Sequence, residues 1–466
     1  MPSVRIVGGG LAGCEAAWQV SSRGIPVTLS EMRPVRATEV HQTDALAELV
    51  CSNSLRGDKL DNAVGLLKEE MRRLGSLVMR AAEATRVPAG AALAVDREQF
   101  AAFITRAVGE HPLITVTREE VGAIPESRGT NHPVILATGP LTSTALAASI
   151  ATFVGQDYLY FYDAISPIVS AESLDREKVF RASRWGRSLG PPEEPSGPAC
   201  GADDGEGDYL NCPMTADEYR RFYAALTGAE MATVHDFDRE RFFEGCLPIE
   251  VLAHRGEDTL RFGPMKPVGL VDPRTGRRPY AVVQLRQDNL AGDHYNLVGF
   301  QTQLKWGEQE RVLRMIPGLE RAQFVRFGMV HRNTYINGPT ILHETWQARS
   351  RLDLFFAGQI SGVEGYVESA ASGLLAGINA ATLAAGGTLR PAPRATAIGA
   401  LAYYVSHARA GDYQPSNITF GIMEPLADAP RDKLQRKTAI AKRALAALDA
   451  WIKDGSSDPA EAGSHE

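Results

Sequence analysis

Two cysteines are the first residues in this sequence able to do covalent chemistry. Cys51 lies in Glu48-Leu-Val-Cys51-Ser52-Asn53-Ser54-Leu55, and Cys246 in Phe242-Phe-Glu-Gly-Cys246-Leu-Pro-Ile-Glu250. A thiolate serves as nucleophile or base, whereas a cysteine in apolar sequence is more often a small buried hydrophobe. Ser52, Asn53 and Ser54 tip that balance at Cys51: they offer donors to a thiolate or to the carbonyl of a bound ring, which a structural thiol does not need. Cys246 follows a glycine and precedes Leu-Pro, the sequence of a loop. The other cysteines are Cys14, Cys200 and Cys212. An odd, widely spaced set without a Cys-x-x-Cys or Cys/His pattern argues for thiols in a reducing cytoplasm and for no metal site.

Such thiols need elements to position a reaction partner. An apolar strand from Val4 runs into Gly8-Gly9-Gly10-Leu11-Ala12-Gly13, followed by a helix with small residues Ala16 and Ala17. Gly8 permits the tight turn, Gly10 lets backbone approach a pyrophosphate, and Gly13 allows close packing, while the helix N-terminus offers N–H groups to phosphate. The second strand, from Val27, ends at Glu31, placed to accept hydrogen bonds from a ribose. Most Gly-rich turns bind nothing; here strand, glycines, helix, second strand and acid agree on a dinucleotide. A late segment, Leu354-Phe-Phe-Ala-Gly358-Gln359-Ile-Ser-Gly-Val-Glu364-Gly365-Tyr366-Val-Glu-Ser369, repeats strand, Gly-rich turn and small-residue helix, here from Glu368 to Ala385. A returning strand and helix resemble flavoproteins of the glutathione reductase type, as does Val134-Ile-Leu-Ala-Thr138-Gly139, so the expected cofactor is FAD.

The expected fold class is α/β, a glutathione-reductase-type Rossmann FAD-binding domain with an inserted α+β substrate domain. The boundaries read as 1–152 for the first part of the FAD domain, 153–326 for the insertion, 327–390 for the return segment, 391–453 for a C-terminal helical region and 454–466 for a disordered tail. A helical region is expected from about Asn62 to Ala84 and another from Phe100 to Val108. Within the insertion, 188–208 is rich in Pro, Gly and acids and reads as a mobile loop. The 466 residues are 44% hydrophobic and 23% charged, an ordinary enzyme composition, and the net charge of −7 argues against indiscriminate coating of nucleic acid. No secretory signal precedes the first strand. The uncharged run from Ser369 to Leu389 is too rich in Ala, Gly, Ser and Thr to favour a bilayer, so no membrane association is expected. Arg431, Lys433, Arg436, Lys437, Lys442 and Arg443 form a basic run that is either a solvated helix face or a phosphate-binding face.

Taken together, Glu31-Met-Arg33, Val50 to Leu55, Val87-Pro-Ala-Gly90, Ala94 to Arg97, Asp208 to Met214, Gly263 to Leu270, Val283 to Arg286, His331 to Tyr335 and Gly362 to Ala370 resemble TrmFO, the folate- and FAD-dependent tRNA uracil-5-methyltransferase family. The resemblance runs from Val4 to about Trp451 and departs mainly in the 188–208 loop. A paralogous flavoprotein that modifies the wobble uridine shares the first glycines and the late Gly-Tyr-Glu-Ser-Ala pattern. It is longer and has a different Gly-rich stretch where Cys51-Ser-Asn-Ser stands here. A non-catalytic FAD-containing tRNA-binding protein is the third reading, and the two thiols argue against it.

The resemblance implies that one carbon passes from methylenetetrahydrofolate through flavin N5 to C5 of the T-loop uridine, giving ribothymidine, with NAD(P)H as reductant. It implies Cys246 as nucleophile at uracil C6 and Cys51 as base, with the exchange of these roles left open. It implies cofactor contacts from Gly8, Gly9, Gly10, Leu11, Ala12, Gly13, Glu31, Arg33, Ser52, Asn53, Thr138, Gly139, Gly358, Gln359, Glu364, Gly365, Tyr366 and Ser369. The implied substrate contacts are Lys266, Arg286, Arg332, Asn333 and Tyr335. The implied partners are the T-arm of tRNA, a folate and a nicotinamide, with no obligate protein partner. Gly263 to Lys266 and Arg274 to Arg278 are candidate basic contacts for a folate tail, a 2′-phosphate or tRNA, or else ordinary surface turns. No second GxGxxG exists for the nicotinamide, which points to a transient visit to an open flavin face.

Overall fold

The computed structural model describes residues 1–38, 40–155, 159–188, 207–232 and 247–456, with the side chains of 159–163, 331, 332, 412 and 456 outside the description. Two six-stranded sheets organise the chain. The first runs Gln347–Ala348, Arg351–Phe356, Val134–Leu136, Val4–Val7, Val27–Glu31, Ile114–Arg118, parallel except for the Gln347–Ala348 edge. Near-continuous apolar runs such as Val134–Leu136 suit a sheet covered on both faces. The second runs Phe180–Arg181, Tyr209–Met214, Ala281–Gln287, His294–Leu297, Ile168–Ser170, Phe324–Arg326, antiparallel throughout. All its strands come from the stretch between the first sheet's Val134–Leu136 and Arg351–Phe356. The outgoing and returning connections, Leu159–Ala164 and Val330–Tyr335, pair with each other as an antiparallel ribbon.

The cores are separate. One cluster fills the first sheet and its helices, including Leu29, Phe100, Phe355 and Leu374; another, with Tyr219, Phe222, Phe300 and Ile316, backs the second sheet. The helices Leu11–Ser21 and Tyr366–Ala384 cross with almost no side chain between them. A Cβ on Gly373 would stand 2.1 Å from the Ala12 carbonyl oxygen, and one on Gly377 2.7 Å from that of Ala16.

Four boundaries differ from the sequence reading. The 62–84 region is two helices, Ala63–Arg73 and Leu77–Ala84, parted at Gly75 (φ 73°). The next helix spans Arg97–Gly109, starting before Phe100 because Asp96 caps it, accepting from the Gln99 N–H at 2.9 Å. The late helix begins at Tyr366, ahead of Glu368. The last helix, Lys433–Ser456, continues past Asp454; residues 457–466 and most of the 188–208 loop lie outside the described residues. Among the described residues no helix is long and apolar enough to cross a membrane, the Ser369 stretch included.

Candidate functional site

The turn after the first strand is built on missing side chains. Gly8 has φ 106°, and a Cβ there would sit 2.4 Å from the Ala137 carbonyl oxygen. A Cβ on Gly13 would fall 1.8 Å from the Gly8 carbonyl oxygen, so the helix seats directly on the turn. Gly10 differs: its Cβ would meet nothing within 4 Å. It caps the helix Leu11–Ser21 and opens onto a cleft of about 1030 Å³.

The cleft is lined by Gly8, Gly9, Gly10, Leu11, Ala12, Glu31, Arg33, Thr138, Gly139, Gly358, Gln359, Tyr366 and Ser369, all named from sequence. Glu31 fastens the turn as well as facing the cleft: one oxygen accepts from the Gly9 N–H at 2.9 Å, the other from the Arg33 N–H at 3.0 Å and its Nε at 2.9 Å. Burial opposes the charge, yet the Arg33 guanidinium and these N–H groups hold the carboxyl below its ordinary range. Arg33 is shared with Glu48 at 3.1 Å. On the late segment, Gln359 donates to Glu364 at 2.7 Å, so Glu364 braces the turn from behind rather than lining the cleft. Gly365 (φ 106°) and Gly13 likewise shape the wall without lining it. Sequence reading missed His41, Glu119 and Ser143, which line the cleft from segments without a motif, and did not name Glu48 and Val50 of the Cys51 segment as lining residues. Burial and the Arg33 charge press the His41 imidazole down to about 4, so it is neutral near pH 7. Ser143 carries a buried hydroxyl with no partner among the described residues.

Cys51 stands beside this cleft. The Tyr366 hydroxyl oxygen accepts the backbone N–H of Cys51 at 2.6 Å and of Ser52 at 3.2 Å, and the thiol lies 3.7 Å from the Ala164 carbonyl oxygen. Burial and the neighbouring Cys51 charge push the Tyr366 phenol up, so it stays protonated. Cys14 and Cys212 are fully buried thiols whose pKa burial also raises, and they have the inert character expected of structural cysteines. Cys246 lies outside the described residues.

Asn53 is committed inside the fold, and Ser52 is tied to it through Arg286. The Asn53 amide donates to the carbonyls of Val95 at 3.0 Å and Gln287 at 2.9 Å, and its oxygen accepts from Arg286 Nε at 2.8 Å. Ser52 Oγ accepts from Arg286 Nη2 at 2.7 Å. Arg286 is therefore a buried clasp between the two sheets, not an open substrate contact. Arg97 makes a second clasp, with Nε 3.0 Å from Asp288 and Nη1 2.9 Å from the Leu49 carbonyl oxygen. Neither position of Arg97 nor Asp288 in the sequence signals this. Arg97, Arg286 and Arg326 all lie within charge range of Cys51.

The remaining substrate residues also move. Asn333 is 0% exposed, with neither polar atom partnered among the described residues, and Tyr335 is buried with its hydroxyl donating to the Tyr413 carbonyl oxygen at 3.4 Å. Both are interior residues, and neither lines the cleft. The Arg332 backbone pairs with Tyr162, and its side chain is outside the description. Lys266 is half-buried, its carbonyl taking the Arg184 guanidinium, away from the cleft lining. Arg274 is tied to Asp272 at 2.8 Å and to the Glu177 carbonyl oxygen at 2.8 Å. In the C-terminal helix, Arg443 donates to the carbonyls of Glu424 and Pro425, so one of the six basic residues serves the fold.

The family model described as glucose inhibited division protein A matches residues 3–388. Proteins named methylenetetrahydrofolate–tRNA-(uracil-5-)-methyltransferase TrmFO are 56% identical in Heliobacterium modesticaldum and 58% in Desulforudis audaxviator, each over 97% of this chain and 98% of the relative. The chain belongs to the TrmFO family. The solved Aquifex aeolicus GidA has the same fold, with a TM-score of 0.66 at 17% identity over 97% of this chain and 78% of that one. TrmFO-family identity at this level extends through the second sheet, so the arginine clasps lie inside the matched region.

Proposed function

We propose that this protein transfers a one-carbon unit from methylenetetrahydrofolate to C5 of the T-loop uridine of tRNA, with FAD bound in the cleft and NAD(P)H as reductant. It is a methylenetetrahydrofolate–tRNA-(uracil-5-)-methyltransferase. The observation that carries the chemistry is Cys51, one hydrogen bond from Tyr366 in the cleft wall and set among three arginines. FAD fits the residues present. Gly10 leaves room for pyrophosphate at a helix N-terminus, Ser143 offers an unpartnered hydroxyl, and Glu31 faces the cleft as an acceptor for a ribose. Bound there, FAD supplies a carrier for the one-carbon unit and for hydride.

The chain's own residues do the rest. Uracil C5 becomes nucleophilic when a thiolate adds at C6, a role we assign to Cys246; once C5 carries the new carbon, a base must remove its proton, a role we assign to Cys51. Loss of that proton lets the bond between the new carbon and its carrier break, hydride added to the resulting methylene makes it a methyl group, and the C6–S bond breaks to return the thiolate. The three arginines lie within charge range of Cys51, and the Tyr366 hydroxyl holds its backbone in place. The substrate unit is the second sheet, joined to the cofactor unit through Arg97 and Arg286. The separated thiols support a cytoplasmic setting.

Incubation with labelled methylenetetrahydrofolate, NADPH and a T-arm RNA should place label on uracil C5. A 5-fluorouracil T-arm should trap the protein covalently, and Cys246→Ser should abolish the adduct. Gly10→Val should fold yet purify colourless. Label absent from RNA, or full flavin in Gly10→Val, would overturn the reading.

A further inference from the structure

Trp306, Phe327 and Phe324 form a stack at the surface of the second unit. The Trp306 and Phe327 centroids are 5.5 Å apart with planes 14° from parallel, and those of Phe327 and Phe324 are 5.2 Å apart at 18°. Trp306 is 63% exposed, so the outermost indole presents aromatic surface to solvent. The stack is braced from behind: the buried Gln309 side chain donates to the Gly328 carbonyl oxygen at 2.9 Å and accepts from the Gly328 N–H at 2.8 Å, tying the turn after Phe327 to the helix that Trp306 begins.

Its neighbours include described segments on both sides of residues 233–246. Ala232 donates to the Gln303 carbonyl oxygen at 2.8 Å and Ile249 to that of Gln301 at 2.7 Å, so the chain on either side of Cys246 is anchored within a few residues of Trp306. On the other side, Arg326 immediately precedes Phe327. Its Nη2 donates to the Val40 carbonyl oxygen at 3.3 Å, and it lies within charge range of Cys51, Tyr366 and Glu48. Flat aromatic surface with a cation at the adjoining residue is what an unpaired nucleotide requires: a ring for the base and positive charge for the phosphate.

We propose that the Trp306–Phe327–Phe324 stack receives an unpaired base of the substrate RNA loop while the target uridine enters beside Cys51. The proposal rests on the reading that tRNA is the substrate. The holoprotein, Trp306→Ala, Trp306→Gln and Trp306→Phe are compared for binding to a T-arm hairpin and to the same hairpin with abasic sites beside the target uridine. Trp306→Ala and Trp306→Gln should each weaken binding about 10-fold, and Trp306→Phe should recover most of it. The abasic hairpin should bind the wild type as weakly as the variants bind the intact one, with no further loss when variant and abasic hairpin are combined. Melting curves identify any variant that fails to fold. Wild-type affinity in Trp306→Gln, or equal weakening on both hairpins, would sink the platform. Label transfer by the wild type in the same tubes is scored separately: its absence with Trp306-dependent binding removes the methyl-transfer reading and leaves the platform standing, and a wild type that binds no hairpin removes both.

Discussion

The cofactor cleft and the joint between the two sheets solve the same problem, holding distant segments together, by opposite means. At the cleft, backbone meets backbone where side chains are absent: Gly13 on Gly8, and Gly373 on Ala12. At the joint, buried charge does the holding, with Arg97 on Asp288 and Arg286 on Ser52 and Asn53. Close packing is indifferent to pH and salt but tolerates no added atom. A buried ionic clasp tolerates some reshaping yet fails when one partner is removed, because the other charge is stranded. The wall of the cleft is thus set rigidly, while the joint to the second sheet is set electrostatically.

The largest effect should come from filling the close contact. Gly13→Ala should cost about 3 kcal/mol or more, seen as a lowered denaturation midpoint and lost flavin, whereas Gly10→Ala, with open space around its Cβ, should leave the midpoint unchanged. Equal midpoints would erase the distinction between structural and ligand-facing glycines. Next, Asp288→Ala should cost about 3 kcal/mol by stranding Arg97, and Arg97→Met with Asp288→Leu should recover much of it; a double variant no better than the single would show that the clasp is not ionic.

A pH effect should be smaller. Glu70 is buried and accepts the Ala397 and Ile398 N–H groups, each at 2.8 Å, and burial raises its pKa from 4.5 to about 8. The folded state therefore keeps this proton longer than the unfolded state. The contribution is full below 4.5, declines as pH rises toward 8 and is then constant. Glu70→Gln should flatten that part of the stability curve at a lower baseline, since an amide presents one acceptor to two donors. A wild-type curve rising over this window would contradict the assignment. Smallest of all, Asp449→Asn, which breaks an exposed pair with Arg73 at 2.8 Å, should cost about 0.5 kcal/mol, further reduced by salt.

The same contrast explains what could be read from the sequence. Strand, glycines, helix and terminal acid fall within residues 4–31, so the turn announces itself locally, and the late Gly358 to Ser369 segment repeats the pattern. Arg97, Asp288 and Arg286 carry no local signature, because their meaning depends on partners up to 234 residues away. For that reason Asn53 and Arg286 look like site residues in sequence and prove to be clasps. Tyr335 and Asn333 misled for a related reason: polar residues in a strand do not reveal whether the strand is covered. Tyr366 was placed at the cleft from its Gly-rich context, but its grip on the Cys51 backbone required the fold.

The crossing of Leu11–Ser21 with Tyr366–Ala384 has a consequence for how the molecule comes into being. The Gly8–Gly13 turn leaves the ribosome more than three hundred residues ahead of the helix that completes its wall. At about 5–20 residues per second that is a wait of roughly 20–70 s. During that interval the nascent N-terminal strands lack the face they will bury. The cleft is therefore complete only once that helix has emerged, and a ribosome that stops before it releases a chain whose turn has no opposite wall.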